Sequence, residues 1–128
     1  MDQERDVPRL VGDTRRAWTR PPDAVGAVWA LDVPDRDLDA NVIRIPPGER
    51  IEEFAGPDLD ILWVVLDGEA HLTSGTTVVE MLPGAIVWLP SGSRRGVVPG
   101  PDGVRYLTVH LRKEPTVLRP TVRPVGRR

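Results

Sequence analysis

Apolar residues in this chain come in short runs, each closed off by proline, glycine or a charged pair. The runs are Val25 to Leu31, Asn41 to Ile45, Ile61 to Asp67, Ala70 to Ser74, Thr76 to Glu80, Ile86 to Leu89, Arg94 to Val98 and Val104 to Leu111. Their richness in Val, Ile, Leu and Trp, and their length, read as β-strands. The 14 prolines leave no room for a long helix. One short helix fits around Asp13 to Thr19, a stretch that reads equally well as strand or coil. Asp67-Gly68, Ser74-Gly75 and Pro101-Asp102-Gly103 are turn sequences, and Asp-Gly readily supplies the positive φ of a tight hairpin. Together they predict an antiparallel meander from Ile61 to Leu111. Pro83-Gly84 predicts a turn before Ile86, and Pro90-Ser91-Gly92 a bend after Leu89. The expected class is all-β, a sandwich or barrel.

Composition narrows this picture in three ways. A chain of 128 residues supports one core rather than two. The absence of cysteine excludes disulfides, thiolate ligands and a thiol nucleophile. The longest strongly apolar stretch, Ile61 to Leu66, is too short to cross a bilayer as a helix, and no signal-peptide pattern follows Met1. A soluble cytoplasmic protein is therefore expected, with no membrane partner.

The formal net charge of -2 hides an uneven distribution. Glu49, Glu52, Glu53, Asp58, Asp60, Asp67 and Glu69 face one base, Arg50, in the middle of the chain. Arg112, Lys113, Arg119, Arg123, Arg127 and Arg128 face one acid, Glu114, at its end. The tail reads as solvated, or as lying along an acidic surface of the same or a neighbouring chain. Without a compact basic stripe or a recognised motif, nucleic acid is not an expected partner.

Two stretches resemble the cupin superfamily. The clearer is "GAIVWLPSGSRR", with Gly84, Pro90, Gly92 and Arg95 at the spacing of the second cupin signature. The first signature is framed by Gly48 in "PPGERI" and Gly68 in "LWVVLDGEA". The resemblance covers Asn41 to Leu111 and implies a double-stranded β-helix, or jelly-roll barrel. It implies N-terminal strands and an extended arm over residues 1–40, a barrel core over 41–111, and a closing strand with a basic tail over 112–128. It also implies a homodimer in which the segments carrying Trp18 and Trp29 pack against a second subunit, consistent with the need to cover an open sheet edge.

The same resemblance locates where metal-binding cupins carry their ligands. The histidine places fall at Phe54 and Gly56, or with a shifted loop at Ala55 and Pro57. The glutamate place falls at Ile61, and the last histidine place at Arg95. None of these side chains is a usual ligand for a divalent metal, which needs several imidazole, carboxylate or thiolate donors. The chain's two histidines, His71 and His110, lie on different strands. A relocated site would have to combine them with Glu52, Glu53 or Asp58. The expectation is no metal and no cofactor. His71 reads as solvent-facing and His110 as a strand residue with a local hydrogen-bond partner.

Barrel mouths are common ligand sites, so inward residues of the strands are the candidates. If Ile61 points inward, Trp63 and Val65 do as well. Arg95 matches an inward place, and a guanidinium at an apolar cavity grips a carboxylate or phosphate through paired hydrogen bonds. By strand alternation, Arg94 and Arg95 cannot both face inward. Trp88 fits either side. Tyr106 and His110 share one strand face about 13 Å apart, with Thr108 between them. The candidate ligand-binding set is Arg95, Trp63, Trp88, Tyr106 and His110, for an unidentified small molecule. Trp63 and Trp88 could stack on a planar ligand, but large rings in a small β-protein more often serve as core or cavity wall, which is the reading expected for them. Three classes stay open at this point: a metal-independent binding or sensory protein, a metal-free isomerase, cyclase or lyase, and a structural or regulatory interaction module.

Overall fold

The computed structural model describes residues 7–15 and 25–112. Seven strands form: β1 Gly26–Ala30, β2 Leu38–Ile45, β3 Ile51–Ala55, β4 Ile61–Ser74, β5 Thr77–Met81, β6 Ile86–Leu89 and β7 Arg94–Leu111. They pair antiparallel in the order β1-β2-β7-β4-β5, with β3 added on β7 and β6 on β4. The all-β expectation holds. Trp18, the rest of the expected short helix beyond Arg15, and the basic tail from residue 113 lie outside the described residues.

Two of the three expected reversals are not reversals. Asp67-Gly68 lies inside the 14-residue β4, and Pro101-Asp102-Gly103 lies inside the 18-residue β7. The two strands stay paired on both sides, Gly68 with Val104 and then Ala70 with Pro99. Residues 100–103 of β7 therefore make a detour opposite Glu69, and the ribbon bends there in the manner of a bulge. Gly68 is required at the bend: its φ is 72°, and a Cβ would stand 2.1 Å from the Gly103 carbonyl oxygen. The predicted meander is thus replaced by one long, bent β4–β7 ribbon. The Ser74-Gly75 hairpin forms as expected, with Ser74 opposite Thr77.

Register assigns the faces. Ile61, Trp63 and Val65 of β4 stand opposite His110, Thr108 and Tyr106 of β7, which in turn oppose Asp39, Asn41 and Ile43 of β2. Leu89 and Val87 of β6 continue the same rows. Ile61, Trp63, Val65, Leu89 and Tyr106 join Ile45, Ala70, Leu72, Met81, Val97 and Val104 in one buried cluster. Intervening residues occupy the outer face, as alternation demands. The opposite end of the ribbon is tied down by Arg105, which donates from Nε and Nη2 to Asp67 Oδ2 at 2.8 and 2.5 Å and from Nη1 to the Thr14 carbonyl.

Candidate functional site

β3 places Phe54 and Ala55 against Arg95 and Arg94 of β7. Alternation separates the two arginines as expected. Arg94 is exposed and binds Glu53 at 2.9 Å, whereas Arg95 is only 3% exposed. The Arg95 guanidinium donates from Nε to the Ser93 carbonyl at 3.1 Å and from Nη2 to Ser93 Oγ at 2.8 Å. A long contact reaches the Pro90 carbonyl at 3.5 Å. All three acceptors are neutral, and among the described residues no carboxylate touches Arg95. Burial lowers the Arg95 pKa from its ordinary value, and proximity to the Tyr106 phenol opposes that shift.

Tyr106 is 2% exposed and tilts against Trp63 with ring centroids 4.5 Å apart and planes inclined by 38°. That spacing suits an offset aromatic contact. Burial drives the Tyr106 pKa well above the usual phenol value, with the Arg95 charge working against it. Tyr106 thus stands against Trp63 and within electrostatic reach of Arg95. His110 lies two rows along the same face as Tyr106, with buried Thr108 between them, and its Nδ1 is 2.9 Å from the Leu111 carbonyl. The local partner expected for His110 is present, and His71 is exposed.

Trp88 is a correction. It pairs with Leu62 and is 62% exposed, so it stands on the outer face, away from Trp63. The phase of β6 is set by Leu89, which takes the inward place beside Ile61. Phe54, at one of the histidine places, is also half exposed.

At the places where the resemblance sets metal ligands, the described residues offer no donor set. Gly56, at one histidine place, lies directly under Arg95: a Cβ on it would be 2.2 Å from Arg95 Cζ. Ile61 presents hydrocarbon at the glutamate place, and a guanidinium repels a divalent cation. Among the described residues no three His, Asp or Glu side chains converge. Ser93, the anchor of Arg95, was not singled out from sequence; it lies in the bend that precedes β7, where strand periodicity does not apply.

Comparison with known proteins sets this geometry in context. An uncharacterized conserved protein with a double-stranded β-helix domain from Klebsiella pneumoniae superposes with a TM-score of 0.66 at 20% identity, over 81% of this chain and 90% of that one. A cupin superfamily protein from Desulfitobacterium hafniense matches with a TM-score of 0.56 at 21% identity, over 66% and 74%. The fold is that of the cupins. The Cnp3 cupin domain of Schizosaccharomyces pombe agrees, with a TM-score of 0.58 at 19% identity over 66% of this chain; the match spans 62% of that domain. No family model matches the chain, and no curated protein does. This cupin fold lacks the usual metal-binding residues at its signature places, and no helix among the described residues is long and apolar enough to cross a membrane.

Proposed function

We propose that this cupin binds a small anionic molecule without a metal ion, with Arg95 as the anion clamp and Trp63 and Tyr106 as the adjoining walls. Arg95 carries the reading. A guanidinium out of water costs several kcal/mol unless an opposite charge compensates it, and its described partners are all neutral. Among the described residues the donors of Nη1 are left over, and a carboxylate accepting from Nη1 gains the second, parallel bond from Nη2 by displacing the marginal 3.5 Å contact to the Pro90 carbonyl. Thr108 and His110 lie farther along the same face, where they would meet the distal part of such a ligand.

Binding is favoured over acid–base catalysis by the state of Tyr106. General acids and bases work best with a pKa near the operating pH, and burial moves this phenol further away from it. The test is thermal unfolding of the full chain, in the presence of a chelator, with acetate, oxalate, benzoate and inorganic phosphate. A rise in Tm with at least one carboxylate is expected, and the rise should vanish in Arg95→Ala. Absence of any shift across the four anions, or an undiminished shift in the variant, defeats the proposal.

A further inference from the structure

Three polar side chains stand side by side on the interior face with no protein partner among the described residues. Thr108 of β7 lies directly opposite Trp63 of β4, and Tyr106, in the next row, is in ring contact with the same indole. Tyr106, Trp63 and Thr108 are 2%, 6% and 8% exposed. Among the described residues neither hydroxyl makes a side-chain hydrogen bond, and the indole N–H makes none. Half-buried Asn41, across β2 from Thr108, adds an amide in the same condition. In folded proteins roughly nine-tenths of buried polar groups are paired, with protein or with ordered water. An adjoining cluster of unpaired ones therefore calls for an occupant, and an apolar occupant would leave all of them unsatisfied. The indole only donates, whereas the two hydroxyls both donate and accept. The occupant must offer oxygen atoms along these two rows.

We infer that the ligand clamped by Arg95 is a hydroxy- or polyhydroxy-carboxylate, whose hydroxyl groups are read by Tyr106, Thr108 and the Trp63 indole N–H. The inference rests on the anion reading of Arg95 and specifies what the remainder of the ligand carries. Arg95 acts electrostatically on Tyr106, and Thr108 lies one row beyond it on the same face. The two rows are roughly 7 Å apart along the strand, so a ligand reaching from Arg95 to both needs a chain of about six carbons. A second carboxylate suits these rows poorly. Neither row carries a lysine or arginine, and a buried charge without a partner is disfavoured far more than a neutral hydroxyl. A hydroxyl accepts from the indole and from the Asn41 amide, and exchanges either role with Tyr106 and Thr108. A site built to bond a hydroxyl discriminates against the analogue that lacks it, because its own buried groups are then left unpaired.

Isothermal titration of the full chain, in the presence of a chelator, with gluconate, hexanoate, adipate and sorbitol separates the contributions. Gluconate carries both features, hexanoate the carboxylate alone, adipate two carboxylates and sorbitol the hydroxyls alone. Gluconate is expected to bind at least about tenfold more tightly than hexanoate or adipate, and sorbitol is expected to give no measurable heat. Tyr106→Phe and Thr108→Val are each expected to weaken gluconate about tenfold and to leave hexanoate unchanged. Without ligand, both variants are expected to melt no lower than the wild type, since the deleted hydroxyls have no protein partner among the described residues. Equal affinity for gluconate and hexanoate, with both abolished by Arg95→Ala, overturns hydroxyl recognition and leaves the anion clamp standing. Heat from neither acid defeats the clamp itself, and this inference with it. Sorbitol binding as tightly as gluconate, or a lowered Tm in ligand-free Tyr106→Phe, also overturns the inference.

Discussion

Replacing Arg95 with methionine removes the buried charge while keeping an unbranched side chain of similar reach over Gly56. The native guanidinium makes two well-formed hydrogen bonds, at 2.8 and 3.1 Å, and one marginal contact at 3.5 Å. Bonds from a charged donor contribute about 1.5–3 kcal/mol each. Against them stands the several kcal/mol that an ion loses on leaving water. The two sums nearly cancel. The acceptors left behind are not orphaned, since the Ser93 carbonyl also receives the Gly56 N–H at 3.0 Å and the Ser93 hydroxyl can rotate. Arg95→Met is therefore expected to lie within about 1 kcal/mol of wild type, or on the stabilising side. Urea denaturation followed by tryptophan fluorescence measures this, with an unchanged m-value certifying that the two unfolding reactions are comparable. A loss of about 3 kcal/mol or more is what breaking a compensated buried ion gives. That result would refute the reasoning, because it would mean that Arg95 is held for stability.

Three further outcomes are expected. Gly68→Ala should cost at least about 3 kcal/mol, combining the positive-φ penalty with a backbone collision, whereas Gly75→Ala should cost only about 1 kcal/mol, because nothing lies within 4 Å of its Cβ position; equal losses in denaturation would disprove the bend at Gly68. Tyr106 is the sole tyrosine, so phenolate absorbance reports it alone. It should stay protonated above the ordinary tyrosine range and ionise only with unfolding, the stability it contributes being complete below the unfolded pKa and lost as pH rises through the folded one; ionisation near pH 10 in the folded state would count against its burial. The Glu53 carboxyl is held below its usual pKa by the Gly75 N–H and then by Arg94. Its contribution is complete above the unfolded pKa and fades as pH falls through the depressed value, so Glu53→Gln should flatten the acid limb of stability against pH; an unchanged limb would show that these contacts do not persist in solution.

Much of the fold was legible because its strands are short and bounded by turn formers. The errors have physical causes. Asp67-Gly68 and Pro101-Asp102-Gly103 carry the residues of reversals, yet the same positive-φ glycines also serve bulges, and only the partner strand decides between the two. Gly68 does so by meeting Gly103. β3 was missed because adjacent Glu52 and Glu53 interrupt the apolar pattern of "IEEFA". At the candidate site, alternation placed Ile61, Trp63 and Val65 inward and separated Arg94 from Arg95. It could not phase β6, where Val87, Trp88 and Leu89 are all apolar and each suits either face. Nor does strand periodicity reveal that Arg95 would be anchored by Ser93 over a glycine, since that depends on where the loops at residues 56–57 and 90–93 meet.

Isothermal titration of the metal-stripped full chain with the carboxylate that most raises its Tm, set beside the same titration of Arg95→Met, tests the central claim most directly. Saturable heat without added metal in the wild type, and its disappearance in the correctly folded variant, is the predicted result. Binding that requires a restored metal ion, or equal affinity in both proteins, would contradict it.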